Sequence, residues 1–357
     1  MTFDFVIVGC GRISKRHGEL LHKGHIKGAR LVAVCDINEE RAKLASKAYS
    51  VPYFTDIEKM LHNTKFDVAS ILTPSGLHAE HAIQIMNYGK HVVVEKPMAL
   101  KVADADAMIK SAKKNKVELF VVKQNRYNVP VVKLRQELDS GRFGKLIMGT
   151  VRVRWCRDQT YYNQDSWRGT WAQDGGVFSN QASHHVDLLQ WVLGGEVESV
   201  YAKAGTYLVK TETEDTGVAI IKFKNGALGV IEATTAVRPK DLEGSLSLMA
   251  ENGSIEIGGF AVNQIKHWNF SNKKDDDNQI FEKYSVNPPN VYGYGHQQYL
   301  ENVVQCLQGK APNPVNGEDG KKSLMLINAI YESVESGKEV KFPFTHEFSK
   351  LGKKNDR

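Results

Sequence analysis

No apolar run in the 357-residue sequence approaches the ~20 residues that a membrane-spanning helix needs. The longest are short patches such as Phe5-Val6-Ile7-Val8 and Leu119-Phe120-Val121-Val122. The start, Met1-Thr2-Phe3-Asp4, has no basic segment ahead of its apolar run, and that run ends at Gly9. The sequence therefore predicts no signal peptide, no membrane partner and a cytoplasmic location. Cysteine is scarce, and Cys10, Cys35, Cys156 and Cys306 share no C-x-x-C spacing, which excludes a disulfide scaffold and reads as buried, reduced thiols. No basic stripe with interleaved aromatics occurs, which argues against nucleic acid as a partner. His78 and His81 are three apart and His184 and His185 are adjacent, but no carboxylate or Cys completes a tetrahedral set, so no metal is expected. Neither a G-x-S-x-G nor a catalytic Cys–His arrangement stands out.

What is present suits a globular enzyme: 41% hydrophobic and 25% charged residues, with a formal net charge of +6. The length exceeds the ~250–300 residues at which single cores stop growing, so two domains are expected. Residues 1–123 alternate short β-branched runs (5–8, 31–35, 68–73, 91–95, 119–122) with amphipathic stretches. Ile13, His17, Leu20 and Leu21, for example, fall on one helical face. This beat predicts an α/β domain with a doubly wound parallel sheet. From 124 to 345 the pattern becomes α+β with a large, open antiparallel sheet. Asn225-Gly226 and Asn252-Gly253 mark hairpins there, and helices are expected over 130–138, 181–193, 295–308 and 318–336. Residues 346–357 are expected to form a basic tail, of which 350–357 reads most simply as a solvated terminus.

Gly9-Cys10-Gly11-Arg12-Ile13-Ser14 follows the first strand and opens the first helix. Glycines there permit a tight turn and close backbone approach to a pyrophosphate, which the helix N-terminus stabilises. Asp36 ends the second strand, 22 residues beyond Ser14. A carboxylate at that point accepts both ribose hydroxyls and repels a 2′-phosphate, which selects NAD over NADP.

Further motifs follow: Thr73-Pro74-Ser75-Gly76-Leu77-His78, then Glu95-Lys96-Pro97 and Gln124-Asn125-Arg126-Tyr127-Asn128. Trp167-Arg168-Gly169-Thr170-Trp171 leads through Asp174-Gly175-Gly176 to His184-His185-Val186-Asp187. With the dinucleotide motif, these resemble the glucose–fructose oxidoreductase/inositol dehydrogenase/rhizopine catabolism family over almost the whole chain. Residues 123–128, 167–171 and Asn180-Gln181-Ala182-Ser183-His184 are most similar to its bacterial UDP-N-acetylglucosaminuronate 3-dehydrogenase branch. Members of that branch oxidise the sugar's C3 hydroxyl with NAD while making lipopolysaccharide O-antigen sugars, and in some 2-oxoglutarate reoxidises the bound NADH. The resemblance implies NAD as cofactor, a UDP-sugar substrate and a homo-tetramer. Many family members carry Asp where this chain has Asn180, a departure shared by the aminouronate branch.

On these motifs the expected cofactor contacts are Gly9, Gly11, Arg12, Ile13 and Asp36, then Thr73, Pro74, His78 and Glu95. Lys96, Gln124, Trp167 and Arg168 complete them. Lys96 stands at the carboxyl end of a central strand, where open α/β sheets place ligands. Its ammonium can stabilise a developing alkoxide or take the proton itself. His184 is the other candidate proton acceptor, sharing a helix face with Asn180 at i and i+4. Expected substrate contacts are Lys96, Arg126, Tyr127, Tyr161, Arg168, Asn180, Gln181 and His184. Two alternatives stand beside this reading: a dehydrogenase of a free polyol or sugar such as inositol, and a catalytically silent NAD-binding protein.

Overall fold

The computed structural model describes residues 1–285 and 295–353. The chain divides into two compact units, the first comprising Met1–Lys123 with Gly295–Lys321 and the second residues 124–285 and 322–353. Residues 295–321, expected in the second domain, pack with the first instead.

In the first unit the strands are β1 (Phe3–Val8), β2 (Ala29–Cys35), β3 (Tyr53–Phe54), β4 (Val68–Ile71), β5 (His91–Val94) and β6 (Leu119–Val121). All pair in parallel, in the order β3-β2-β1-β4-β5-β6. Strands covered on both faces read as continuous apolar runs, and Val92, Val93 and Val94 are each 0% exposed. Local chemistry sets the helix starts: Asn38 accepts the Arg41 N–H at 3.0 Å, and Asp56 accepts the Lys59 N–H at 2.8 Å. Strand order reverses between β1 and β4, so their carboxyl ends, leading to Gly9 and Thr73, flank the crevice where such sheets bind ligands.

The second unit holds β7 (Leu146–Arg154), β8 (Val197–Gly205), β9 (Thr216–Phe223), β10 (Leu228–Thr234), β11 (Glu243–Ala250), β12 (Gly253–Gly258), β13 (Gln264–Phe270) and β14 (Val340–Lys341). Their order is β13-β12-β11-β7-β10-β9-β8-β14. Both Asn-Gly turns join antiparallel pairs, β9–β10 and β11–β12. The sheet is mixed rather than antiparallel, because β7 and β10 pair in parallel. Parallel neighbours need a long crossover, and here it contains the helix Ser183–Val192 and two further strands. That helix lies on β7: a Cβ at Gly149 would sit 2.9 Å from Leu189. On β8 and β9, Tyr201, Val218 and Ile220 remain exposed.

Among the described residues, no helix is long and apolar enough to cross a membrane. Only Cys35 is buried; Cys10, Cys156 and Cys306 are half-buried, and all four are free. Burial, reinforced by the Asp36 charge, pushes the Cys10 and Cys35 thiols up to about 12, so both are unreactive.

Candidate active site

In the first unit, β1 runs into a loop that only glycine can form at its first position. Gly9 has φ +97°, and a Cβ there would lie 2.7 Å from the Leu72 carbonyl carbon. At Gly11 a Cβ would meet nothing within 4 Å, so backbone there is open to close approach. The Ser14 hydroxyl donates to the Gly11 carbonyl at 2.7 Å and closes the loop onto the helix Ser14–His22. Ile13 is that helix's N-cap residue, and Arg12 is exposed beside it. The Asp36 carboxylate accepts the Cys10 N–H at 2.7 Å and the Asn38 N–H at 2.8 Å, which fixes it beside the loop. A positive-φ glycine, an open second glycine, a helix N-terminus and an anchored carboxylate together fit the adenosine diphosphate half of a dinucleotide.

Beyond β4 and β5, Lys96 is partly exposed between buried Glu95 and Pro97. Glu95, expected to contact cofactor, accepts hydrogen bonds from His17 and His296 at 3.0 and 3.2 Å. His78, also expected there, meets the Pro97 and Thr73 carbonyls at 2.8 Å each. The Thr73 hydroxyl pairs with His81 Nδ1 at 3.1 Å. His78 thus lies between the ends of β4 and β5, and His81 meets the first of them.

In the second unit the expected helix over 181–193 begins later. Residues Val177–Gln181 form a π-helical turn, and the α-helix spans Ser183–Val192. Asn180 and His184 therefore do not share one α-helical face, and the i, i+4 argument fails. The cause lies in distant partners: the Tyr331 hydroxyl accepts the Gly176 and Ser179 N–H groups at 3.1 and 3.3 Å, and Glu214 accepts that of Phe178 at 3.1 Å. Asn180 donates its side-chain amide to Asp174, which also takes the Gly169 N–H at 2.7 Å. His184 pairs with Gln124.

Three expected site residues meet in one network: Tyr161 accepts from Arg168 at 2.7 Å and from Gln181 at 2.9 Å. The Arg168 guanidinium lies 4.6 Å from both the Tyr161 and Trp167 ring centroids. Arg126 stands differently: its fork grips Asp187 through two 2.8 Å bonds, with both side chains below 10% exposure. The guanidinium that the sequence assigns to a substrate anion is engaged by the chain's own carboxylate. Tyr127 is half-buried next to it. Asp174, Glu214, Tyr331, His17 and His296 were not singled out from sequence for these roles. The signals present in the sequence were the two glycines after Asp174 and the place of His17 on one helical face with Ile13, Leu20 and Leu21.

This sheet order, glycine loop and terminal carboxylate define an NAD-binding oxidoreductase with a separate α/β unit after it. Family models agree in both parts: an oxidoreductase family NAD-binding Rossmann fold over residues 3–123, and an oxidoreductase family C-terminal alpha/beta domain over 135–342. The chain belongs to the Gfo/Idh/MocA family of NAD-dependent oxidoreductases. It is similar to the WlbA dehydrogenase from Bordetella pertussis, solved in complex with NADH and UDP-GlcNAcA. Identity is 41%, covering 97% of this chain and 100% of that one, with a TM-score of 0.89. The Chromobacterium violaceum WlbA dehydrogenase, in complex with the same two molecules, is also 41% identical, covering 96% and 97%, with a TM-score of 0.90. Myo-inositol 2-dehydrogenase of Thermotoga maritima is 29% identical over 94% of this chain and 97% of its own length.

Proposed function

We propose that this enzyme oxidises the C3 hydroxyl of a UDP-linked N-acetylamino-sugar uronate to the 3-keto sugar. The observation that carries the reading is 41% identity, over nearly the full length of both chains, to dehydrogenases solved with NADH and UDP-GlcNAcA. Two features of the second unit support it. Arg168, whose Nε lies 3.4 Å from Asp165 Oδ2 and whose Nη1 donates to Tyr161, is a guanidinium of the kind suited to a carboxylate or diphosphate, and Asn180 adds no negative charge against an anionic substrate.

Oxidation takes a proton from oxygen and a hydride from carbon. Bound NAD, held by the Gly9–Gly11 loop and Asp36, supplies the hydride acceptor. Lys96 is assigned the hydrogen bond to the reacting hydroxyl, where its charge stabilises an alkoxide that develops only as the hydride leaves. His184 is assigned the hydroxyl proton. Arg126, committed to Asp187, is left out of the substrate contacts. Reoxidation by 2-oxoglutarate, a homo-tetramer and a place in O-antigen sugar synthesis belong to the same reading.

The test is a panel of UDP-N-acetylglucosaminuronate, UDP-N-acetylglucosamine and myo-inositol with NAD, with and without 2-oxoglutarate, following NADH and product mass. The uronate should exceed the neutral sugar by more than ~10-fold in kcat/KM, because a site built to bind a substrate carboxylate discriminates against the analogue that lacks it. Equal efficiencies would remove the uronate assignment. Turnover of myo-inositol alone would favour the second reading, which rests on the full-length similarity to inositol dehydrogenases.

A further inference from the structure

One buried cluster in the first unit lies outside the roles assigned above. The Glu95 carboxylate receives three donors: His17 Nε2 at 3.0 Å and His296 Nε2 at 3.2 Å on Oε1, and the backbone N–H of Lys96 at 3.1 Å on Oε2. Both histidines are 0% exposed and Glu95 is 5% exposed. His17 comes from the helix that follows the glycine loop, and His296 from the first turn of the helix Gly295–Leu307. An ionised carboxylate only accepts, so both rings carry a proton on Nε2. Burial pushes the Glu95 carboxyl up, but its hydrogen bonds from His17 and His296 outweigh that and hold it well below the usual carboxylate range. Burial likewise holds His17 below the usual imidazole value, in spite of Glu95. The cluster thus keeps a fixed negative charge one residue from Lys96.

On the other side of Lys96, the Pro97 carbonyl is engaged by His78 Nδ1 at 2.8 Å, while His78 Nε2 meets the Thr73 carbonyl at 2.8 Å. Burial holds His78 below the usual imidazole value, and a neutral ring carries a single N–H, so it donates to only one of these two carbonyls. Lys96 itself stays partly exposed beside buried Glu95. A reacting group needs this kind of support, because a misplacement of ~1 Å can lower a rate by ~10²-fold.

We propose that His17 and His296 are positioning residues for Lys96, acting through the Glu95 carboxylate, which accepts the Lys96 backbone N–H, to hold the lysine's backbone for hydride transfer. The proposal rests on the reading of Lys96 as the catalytic lysine. A competing use of the same atoms is a metal ion, since the ligand atoms of His17, Glu95 and His296 lie within 4.8 Å of one another. Metal-bound imidazoles give their second N–H to a partner. His17 Nδ1 has none among the described residues, so a cation would leave that N–H buried and unsatisfied. The hydrogen-bonded arrangement leaves only an acceptor lone pair there.

The experiment compares Glu95→Gln, His296→Leu, His296→Gln and Lys96→Met in the intact enzyme, using the panel sugar that wild type oxidises. It reads kcat, KM, NADH affinity by fluorescence, Tm and zinc content. In Glu95→Gln an amide N–H replaces one acceptor, so it opposes a donor of the cluster. We expect kcat to fall ~10–100-fold in Glu95→Gln and His296→Leu, with KM and NADH affinity within ~3-fold of wild type. His296→Gln, which restores an N–H donor, should recover most of the loss. If Lys96→Met is inactive while the other variants keep wild-type kcat, the positioning role is overturned and the catalytic lysine stands. A loss confined to NADH affinity, KM or Tm overturns it too, as does stoichiometric zinc that disappears in Glu95→Gln. A fully active Lys96→Met enzyme overturns the reading of Lys96 beneath it.

Discussion

The side-chain amide nitrogen of Gln124 lies 2.8 Å from Nε2 of His184. An amide nitrogen only donates, so this pairing presents His184 Nε2 as a lone pair and puts the ring proton on Nδ1, an assignment made from the hydrogen-bond pattern. That is the tautomer a proton acceptor at Nε2 requires, and the substrate hydroxyl has to take the place of the Gln124 N–H on that single lone pair. Replacing His184 with Ala is expected to lower kcat by roughly 10²–10⁴-fold, the usual worth of one general base. Gln124→Leu keeps the ring and removes its orienting partner, so its loss should be smaller, under ~10-fold. Single-turnover NADH formation measures both, and an undiminished rate in His184→Ala would remove the histidine from the mechanism.

Cofactor choice should rest on Asp36, whose carboxylate is held by the N–H groups of Cys10 and Asn38. Asp36→Ser deletes a ribose acceptor and the charge that repels a 2′-phosphate. NAD use should weaken and NADP use rise, as read by kcat/KM for the two cofactors. A wild-type enzyme that uses both equally well would contradict the assignment.

The parts of this molecule legible in the sequence are those fixed by near neighbours. The strand–helix beat, the loop from Gly9 to Ser14 and the two Asn-Gly turns are each decided within a few residues. What the sequence hid depends on remote partners. Glu95 meets His17 and His296 across 78 and 201 residues, and Arg126 meets Asp187 across 61. The late start of the helix carrying His184 is set by Glu214 and Tyr331, at separations of 36 and 155 residues. No helical periodicity near Asn180 could report that, so spacing alone placed Asn180 and His184 on one face. The parallel β7–β10 pair was hidden for the same reason.

His185 should make the enzyme acid-sensitive. Its ring is 1% exposed, neither nitrogen has a hydrogen-bond partner among the described residues, and burial pushes it down to about 4. In the unfolded chain the same ring protonates near ~6.5. Between those values the unfolded state binds more protons, so stability is full above ~6.5 and falls as pH drops toward about 4, by about 3 kcal/mol in all. Denaturant midpoints of His185→Phe should decline less over that window than those of wild type. Parallel declines in the two proteins would rule out this ring as the source.

Glu214 should act with the opposite sign. It is buried, and burial pushes its carboxyl up to about 7 against the hydrogen bonds it accepts from Phe178 and Tyr331. Unfolded, it ionises near ~4.3. From ~4.3 to about 7 the folded state therefore binds more protons, so its contribution is complete below ~4.3 and lost as pH rises through about 7. The loss at alkaline pH is about 3 kcal/mol. Both accepted hydrogen bonds fall on Oε1. Gln preserves an acceptor at Oε1 and cannot ionise. Unfolding of Glu214→Gln, followed by urea titration between pH 5 and 8.5, should show the alkaline decline removed. An unchanged alkaline decline in Glu214→Gln would show that the carboxyl is already ionised in the native enzyme.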